Sequence, residues 1–487
     1  MNQPPTDPFA REIAALRHSG GEHHRRDTIL WLMMGIFPMI MSTTAINVAI
    51  PDIKTYFHAT HLEVQVLSSA FLASMTVALL LCGGVIGKLG VRRTFRTVIG
   101  GFMLTSLMGA LLPPDGLVWL AVVRVVQGFL TGIAQAVAML VIISNFPSAL
   151  RGRAISLYGL GITLSPILGP FVGGVLTSWI GWQSVFVFTL PLCAWSWLSA
   201  SHRMPVGAPA DLPRSVRGLP ALWLSAFVTG LTGAFLLWLR QPLWGGGFAV
   251  LAALGLLLFC LDQLKHRQQQ VLNFSLLRLP GVFAASVISF AYGLGLFGTT
   301  YLLPVYLQDL GGWASWEAGV ALLPGGVMLG LMLYVGGIMT DRYSMRWTLL
   351  FGLLMFIISN AAFLGFFHPI HLGWFVAVTI VGRVGLGLTI PSLNAGVTQV
   401  APEQYASTAT VMVSFFRSLG GSVGVGAVGL LLEFSTTPGQ APGPAKVLAY
   451  QSAFLAMTLS FLPALLAWFW MRPPRPQAPP IAKVSKS

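Results

Sequence analysis

Long apolar stretches, separated by short polar segments, make up most of this chain. A helix needs about 20 mainly apolar residues to cross the hydrocarbon core of a bilayer. Stretches that meet this requirement occur fourteen times, at residues 29–50, 66–87, 95–113, 117–143, 152–177, 181–200, 218–238, 246–263, 279–307, 315–339, 346–366, 373–396, 407–432 and 450–471. The pattern predicts an all-α polytopic membrane protein with fourteen transmembrane helices. The two stretches within 218–263 have a very short turn between them, and the count falls to twelve if this pair only dips into the membrane.

Polar segments divide the stretches into groups of six, two and six. The division predicts an N-terminal six-helix bundle, two additional transmembrane helices and a C-terminal six-helix bundle, at residues 29–200, 218–263 and 279–471. A cytoplasmic linker and a cytoplasmic loop separate these units, at residues 201–217 and 264–278. The cytoplasmic tails at 1–28 and 472–487 are polar and contain proline, so we expect both to be disordered.

Composition and charge agree with a membrane protein. The 487 residues are 55% hydrophobic and only 9% charged, with a mean hydropathy of +0.77, whereas soluble domains carry about 25% charged residues. A net charge of +14 would suit a nucleic-acid partner, but most of the 28 Lys and Arg residues lie on the side of the termini. Only Lys54, Arg240 and Lys446 fall in segments on the opposite side. The positive-inside rule then places both termini in the cytoplasm, beside an anionic leaflet.

A basic repeat follows the second stretch of each six-helix group. It reads GGVIGKLGVRR over residues 83–93 and GGIMTDRYSMR over residues 336–346. Two copies at corresponding positions indicate two related halves. The alternative is a pair of basic loops that only anchor the topology. The residues singled out in the repeat are Gly83, Arg92, Arg93, Asp341, Arg342 and Arg346.

Glycine and proline interrupt the fifth stretch, which reads GITLSPILGPFVGGVL over residues 161–176. In water they would weaken a helix, because Gly costs about 1 kcal/mol and Pro about 3 kcal/mol at an interior position. In a bilayer, small residues let two helices approach closely, and neighbouring groups satisfy the backbone that proline frees. The alternative is an ordinary kinked membrane helix. The candidate packing residues are Gly161, Gly169, Pro170, Gly173 and Gly174.

Three arginines, Arg124, Arg383 and Arg417, lie near the middle of apolar stretches, where none of the fourteen Asp and Glu residues lies. Each arginine costs about 2.5–3.5 kcal/mol at the bilayer centre. One hypothesis is a net positive central cavity for an anionic substrate, in which Arg124 and Arg383 face one another across the pathway. The alternative is a set of structural arginines that point away from the cavity. The candidate substrate or coupling residues are these three arginines with Asn47, Gln127 and Asn394.

Enzyme chemistry finds no support in the sequence. There is no H-E-x-x-H, P-loop or G-x-S-x-G motif, so we expect no catalytic residues, no cofactor and no ATP hydrolysis by a P-loop. His58, His61, His368 and His371 cluster by sequence, but polar loop residues are favoured over a metal site. A membrane enzyme and a non-transporting sensor are the alternatives from other classes. The enzyme would need a base and a nucleophile near one interface, and the sensor would usually add a soluble signalling domain.

The motifs occur in the order found in a known family. Residues 124–137, RVVQGFLTGIAQAV, resemble motif B of the major facilitator superfamily, and GPFVGG at 169–174 resembles its motif C. The basic repeat is similar to motif A, G-x-x-x-D-R-x-G-x-x-R, and this resemblance implies that the residues singled out in the repeat are gating residues on the cytoplasmic side. Residues 41–51, MSTTAINVAIP, resemble motif D1 of fourteen-span drug:proton antiporters. Together these motifs resemble the EmrB/QacA-type branch of the superfamily.

The resemblance implies a protein of the bacterial cytoplasmic (inner) membrane, in which two six-helix bundles enclose a site at the midplane. It implies proton-gradient-driven efflux of small amphipathic molecules such as drugs. The implied partners are a small-molecule substrate, protons, the lipid bilayer and, as in some relatives, a periplasmic adaptor protein, but no nucleic acid. Ser42 and Gly87 stand where motifs D1 and A usually have Asp, so two carboxylates of the usual coupling scheme are missing. The alternative function is export of an organic anion, such as a siderophore, fatty acid or acidic metabolite, through an Arg-lined cavity.

Overall fold

A computed structural model of the chain describes residues 8–471, apart from residues 114, 146–147, 205–206, 208–217, 238–241, 266–273, 366–370, 403–404 and 435–443. Throughout this described part, regular secondary structure is helical. The helices are α1 (Pro8–Tyr56), α2 (His61–Leu89), α3 (Val91–Ala110), α4 (Leu117–Asn145), α5 (Ser148–Ile180), α6 (Ser184–Val187), α7 (Leu190–Arg203), α8 (Gly218–Leu237), α9 (Pro242–Lys265), a short 3₁₀ helix (Phe274–Arg278), α10 (Pro280–Gly311), α11 (Ser315–Arg342), α12 (Met345–Ala362), α13 (Leu372–Val400), α14 (Ala406–Phe434), α15 (Pro444–Ser460) and α16 (Leu462–Trp468).

Each predicted apolar stretch coincides with a helix, and two of the stretches are each divided into two helices. α6 and α7 together cover the sixth stretch, and α15 and α16 cover the fourteenth. By length and hydropathy, nine helices of the described part can cross a membrane on their own, or ten if the bent helix α2 is one span. The all-helical membrane fold is confirmed, while the count of fourteen spans stays a prediction.

The first helix begins earlier than the sequence pattern predicts. α1 starts at Pro8, so residues 8–28 continue the first apolar helix instead of forming a disordered tail. The segment AREIAALR at 10–17 consists mostly of strong helix formers, which explains the extension. Residues 1–7 and 472–487, with most of the predicted linker, lie outside the described residues.

The same helix pairings occur twice in the molecule. In the N-terminal bundle, which comprises α1–α7, α1 packs on α5, while α2 and α3 both pack on α4. In the C-terminal bundle, which comprises α10–α16, α10 packs on α14, while α11 and α12 both pack on α13. The repeat seen in the two basic loops therefore extends to the packing of the helices around them.

The additional pair, α8 and α9, packs against a seam between the bundles. α8 lies against α9 and also against α2 and α14, which contact each other across the two bundles. α9 presents exposed apolar side chains, among them Leu243, Val250, Leu254 and Leu257. An apolar surface of this kind suits contact with lipid. The pair therefore covers the α2–α14 seam from the outside.

Buried apolar side chains form two clusters, and their limits show where the bundles meet. The larger cluster fills the N-terminal bundle and continues into the C-terminal bundle through Tyr301, Ala318 and Val428, near the end where α1 joins α2. The smaller cluster lies mainly in the opposite half of the C-terminal bundle, with Leu349 and Val397 among its members. We call the end of the molecule at which α1 joins α2 the α1–α2 end. The opposite end, at which α2 joins α3, is the α2–α3 end. The bundles share a continuous core at the α1–α2 end.

Candidate functional site

Arg124 is held inside the N-terminal bundle by acceptors from three helices. Its Nε donates to the Leu67 carbonyl at 3.1 Å, Nη1 donates to Gln127 Oε1 at 3.1 Å, and Nη2 donates to the Ser42 carbonyl at 3.3 Å. The Phe71 ring stacks on the guanidinium with its centroid 4.3 Å from Cζ, a cation–π contact. Only 1% of the Arg124 surface is exposed. The residue thus joins α1, α2 and α4, and its acceptors are backbone, hydroxyl and amide oxygens.

Ser42 contacts Arg124 with its side chain as well as its backbone. Arg124 Nη1 lies 3.4 Å from Ser42 Oγ, so the position where motif D1 usually has Asp is directly beside the buried cation. Gln127 continues the network, since its Nε2 donates to Ser106 Oγ at 2.9 Å. Asn47 accepts from Ser68 Oγ at 2.6 Å and is buried as well. The three candidates of this bundle are therefore packed between helices.

Arg383 has a much poorer set of partners in the C-terminal bundle. It is 8% exposed, and both Nη atoms donate to one hydroxyl, Thr300 Oγ1, at 3.3 Å. Arg417 lies on α14, where its backbone touches Gly293 of α10, and its side chain is half-buried. Asn394 is exposed on α13. The six substrate or coupling candidates are thus distributed over both bundles, and Arg124 and Arg383 each bond within their own bundle.

The glycines of residues 161–176 mark close helix contacts on two sides of α5. A side chain at Gly169 would collide with Thr44, and one at Gly173 would collide with the Ala45 backbone, both on α1. A side chain at Gly174 would meet the backbone of Ser315 on α11 instead. Gly161 is packed under the end of the Met33 side chain. α5 is therefore wedged between α1 of its own bundle and α11 of the other.

Pro170 explains a hydrogen bond that holds α1 to α5. Proline has no N–H, so the carbonyl one turn earlier, at Pro166, lacks its usual intrahelical donor. Thr44 Oγ1 donates to that carbonyl at 3.0 Å. A neighbouring helix thereby satisfies the freed backbone group, as a membrane environment requires.

Several hydrogen bonds join the two bundles near the α1–α2 end. Gln308 Nε2 donates to the Val48 carbonyl at 3.2 Å, and Ser315 Oγ donates to Asp52 Oδ2 at 3.1 Å. At the α2–α14 seam, Gln65 Nε2 donates to the Val425 carbonyl at 2.6 Å. These bonds accompany the continuous apolar core, so the bundles are closed against each other at this end.

Charged residues of both bundles lie at the same end. Tyr450 OH donates to Asp309 Oδ2 at 2.9 Å, and Lys446 Nζ donates to the Asp309 carbonyl at 3.0 Å. Lys54 of α1 lies within electrostatic reach of the carboxylates of Asp309 and Glu433, and also of the like charge of Lys446. Opposite charges from the two bundles therefore face each other, which favours the closed arrangement.

The basic repeat makes contacts within each bundle at the α2–α3 end. Arg92 Nε donates to the Met204 carbonyl at 2.6 Å, and the Val91 N–H donates to the Gly207 carbonyl at 2.9 Å, so the repeat binds the start of the linker. Arg93 and Arg342 are exposed, Gly83 is half-buried, and the side chain of Asp341 lies outside the described residues.

Two arginine–tryptophan pairs, which the sequence pattern did not indicate, occupy similar places in the bundles. Arg96 stacks on Trp197 at 4.2 Å, and Trp197 Nε1 donates to the Arg96 carbonyl at 3.0 Å. Arg346 stacks on Trp468 at 4.7 Å, and Trp468 Nε1 donates to the Arg346 carbonyl at 2.7 Å. The sequence feature that the two pairs share is an Arg at the start of the third stretch and Trp residues in the sixth stretch of each group. Each pair fastens the third helix of a bundle to its last.

Comparison with known proteins extends over nearly the whole chain. A family model described as Major Facilitator Superfamily matches residues 32–425 and 328–486. The methylenomycin A resistance protein of Streptomyces coelicolor is 27% identical over 88% of this chain and 90% of that protein. The drug efflux pump JefA of Mycobacterium tuberculosis is 26% identical over 84% of this chain and 80% of its own. The tetracenomycin C resistance and export protein of Streptomyces glaucescens is 26% identical over 83% of this chain and 75% of that protein.

Solved structures show the same arrangement of helices. A D-xylose-proton symporter superimposes with a TM-score of 0.62 at 14% identity, over 89% of this chain and 96% of that chain. The xylose transporter XylE from E. coli, in an inward open conformation, superimposes with a TM-score of 0.62 at 13% identity, over 93% of this chain and 98% of that chain. At such identities the likeness concerns the fold alone.

Proposed function

The chain belongs to the major facilitator superfamily, and on that premise we propose that it is a multi-pass membrane transporter that exports small amphipathic drugs. The observation that carries the proposal is the set of relatives that span most of the chain, which are named as drug resistance, export or efflux proteins. These relatives are transporters rather than enzymes. In this proposal a proton gradient supplies the energy, as in the drug:proton antiporters that the chain resembles, and the sequence contains no P-loop for ATP hydrolysis.

The proposed location is the cytoplasmic membrane of a bacterial-type cell, with both termini in the cytoplasm. This orientation follows from the distribution of Lys and Arg. It puts the α1–α2 end outside and the α2–α3 end inside. The bundles are then closed toward the exterior in this structure, and transport proceeds as they rock about a site at the midplane. A periplasmic adaptor is a further expectation that only the resemblance suggests.

The domains and residues take the following roles in this proposal. Residues 29–200 and 279–471 form the two rocking bundles, 218–263 the additional pair, and 201–217 and 264–278 the cytoplasmic connections. Arg124, Gln127 and Asn47 hold α1, α2 and α4 in register, and the glycines at 161–176 let α5 contact both bundles closely. The basic repeat acts as the gate at the cytoplasmic side. Arg383, Arg417 and Asn394 provide polar groups in the C-terminal half.

Drug export is favoured over export of an organic anion. The anion hypothesis calls for an Arg-lined cavity, but Arg124 is almost fully buried and bonded within its own bundle. The relatives named for drug resistance point the same way.

Inverted membrane vesicles that contain the protein provide the test. They should take up drugs or dyes when a proton gradient is imposed and stop when the gradient is collapsed. A panel of cationic, neutral and anionic compounds then defines the substrate class. Vesicles with a Gly169→Leu variant, inserted to the same level, serve as the control. The absence of gradient-dependent uptake for every compound would overturn the proposal.

A further inference from the structure

The two buried arginines at comparable places in the bundles differ in how well they are satisfied. Arg124 has oxygen acceptors from α1, α2 and α4 together with an aromatic face. Arg383, by contrast, shares a single hydroxyl between its two Nη atoms. Most of its N–H donors are therefore unpaired among the described residues, although a buried cation without partners is costly.

A small cavity borders Arg383 between α10, α12 and α13. Its polar walls come from Thr299, Ser359, Asn360, Thr379 and Arg383, and its apolar walls from Leu303, Phe356, Phe363 and Leu386. The cavity admits about one water-sized sphere. Among the described residues, no Asp or Glu lines it, and none of these lining residues carries negative charge.

Thr379 places a second polar group with an unsatisfied hydrogen bond beside the cavity. The residue is 3% exposed, and its Oγ1 has no hydrogen-bond partner among the described residues. It stands one helical turn from Arg383 on α13, on the same face. A buried hydroxyl of this kind normally has a partner. Both residues line the same small cavity.

We propose that this cavity is a binding site for one small inorganic anion of the halide type, such as chloride. The anion would accept hydrogen bonds from Arg383 and Thr379 and offset the arginine charge. A water molecule could accept the same bonds but would leave the charge uncompensated. The apolar walls suit a weakly hydrated monovalent ion rather than a larger, strongly hydrated oxyanion. This proposal does not depend on the exported substrate. The anion site can therefore be disproved while drug export is confirmed, and drug export can be disproved while the anion site is confirmed.

Thermal unfolding of the purified protein in lipid nanodiscs, without any drug, is the first test. At constant ionic strength, replacing gluconate with chloride should raise the unfolding temperature in a saturable way, because a ligand that binds only the folded state stabilises it. Arg383→Met should abolish this dependence. A wild-type protein that unfolds at the same temperature in both salts would overturn the proposal, as would a dependence that Arg383→Met leaves unchanged.

A milder variant keeps the test decisive if Arg383→Met does not fold. Thr379→Val removes one donor and should weaken the apparent chloride affinity about fivefold, the effect of one hydrogen bond. Thr389→Val is the matched control, because Thr389 lies on the same helix and donates to the Gly385 carbonyl away from the cavity. Equal chloride affinities for the two variants would contradict the assignment.

Bromide makes the site directly visible. Crystals grown with bromide should show an anomalous scattering peak beside Arg383 and Thr379. A water-like peak without anomalous signal at this place would show that the cavity holds solvent and would overturn the proposal.

Discussion

At the scale of single residues, Ser42 is the position where this chain departs most tellingly from its motif. Its side-chain oxygen lies 3.4 Å from Arg124 Nη1, so an Asp at this place would form a buried ion pair. Among the described residues, the serine leaves Arg124 to be satisfied by neutral oxygen acceptors and by the Phe71 ring. The neutral contact keeps α1 and α4 together without a group that titrates.

Ser42→Asp should therefore be tolerated only while Arg124 is present. With Arg124→Met in addition, the new carboxylate would be buried without its partner, and the free energy of unfolding should fall by about 3–5 kcal/mol relative to Ser42→Asp alone. Thermal unfolding of the purified variants measures the difference. Ser42→Asn, similar in size but neutral, is the control and should show no such coupling to Arg124→Met. Equal stability of Ser42→Asp with and without Arg124 would contradict the prediction.

The sequence allowed the buried candidates to be identified, but not their partners. A mid-stretch arginine must be buried because lipid surrounds the helix, and Arg124 and Arg383 are both buried. Whether such a residue bonds to carbonyls or lines a cavity depends on the rotation of neighbouring helices, which hydropathy does not specify. Asn394, exposed on α13, and the Arg96–Trp197 pair show the same limit.

At the scale of helices, α5 owes its position to residues that have little or no side chain. Its glycines face α1 on one side and α11 on the other. The apolar pattern could predict this helix, and its Gly and Pro content could predict close packing. The sequence pattern could not predict that the two bundles contact each other through α5.

Gly169→Leu should abolish transport and leave membrane insertion intact, because a side chain at this position would collide with Thr44 and push α1 away from α5. Uptake into vesicles, normalised to the amount of inserted protein, is the measurement. Gly246→Leu in α9 is a matched control, since nothing lies within 4 Å of a side chain added there. Normal transport by Gly169→Leu would show that α1 and α5 do not need this close contact.

Trp197→Leu and Trp468→Leu should each destabilise one bundle. Each change removes a cation–π contact and an indole hydrogen bond, together worth about 1–3 kcal/mol. Thermal unfolding should therefore shift downward by a similar amount in both variants. Trp195→Leu is the control, because Trp195 is on the same helix as Trp197 but 63% exposed. A shift as large in the control would assign the effect to lipid contact instead.

At the scale of the whole molecule, closure at the α1–α2 end rests on contacts between residues far apart in sequence. Lys54 of α1 faces Asp309 and Glu433 of the C-terminal bundle, and Gln308 and Ser315 bond to α1. The grouping of helices as six, two and six could be predicted from hydropathy and the basic repeat. Closure at the α1–α2 end could not be predicted, because charge pairing between residues far apart in the chain leaves no pattern in the local sequence.

Lys54→Met should weaken this closure and favour opening toward the α1–α2 side. In a variant without native cysteines, Ser315→Cys should then react several-fold faster with a membrane-impermeant maleimide, because Ser315 is buried in the closed arrangement. Labelling rates in intact cells measure the change. Lys446→Met, which removes a positive charge that repels Lys54 from the C-terminal bundle, should not speed the labelling. Identical rates with and without Lys54 would exclude it as a closing contact.

The position of α8 over the α2–α14 seam has a consequence for lipophilic compounds dissolved in the bilayer. Because α8 contacts both α2 and α14, it lies across the path that such a compound would take sideways between the bundles on that side. The seam between α5 and α11 lies elsewhere on the molecule. A drug dissolved in the inner leaflet would then enter between the bundles from the α5–α11 side only. The additional pair of helices would thus determine the direction from which lipophilic solutes reach the transporter.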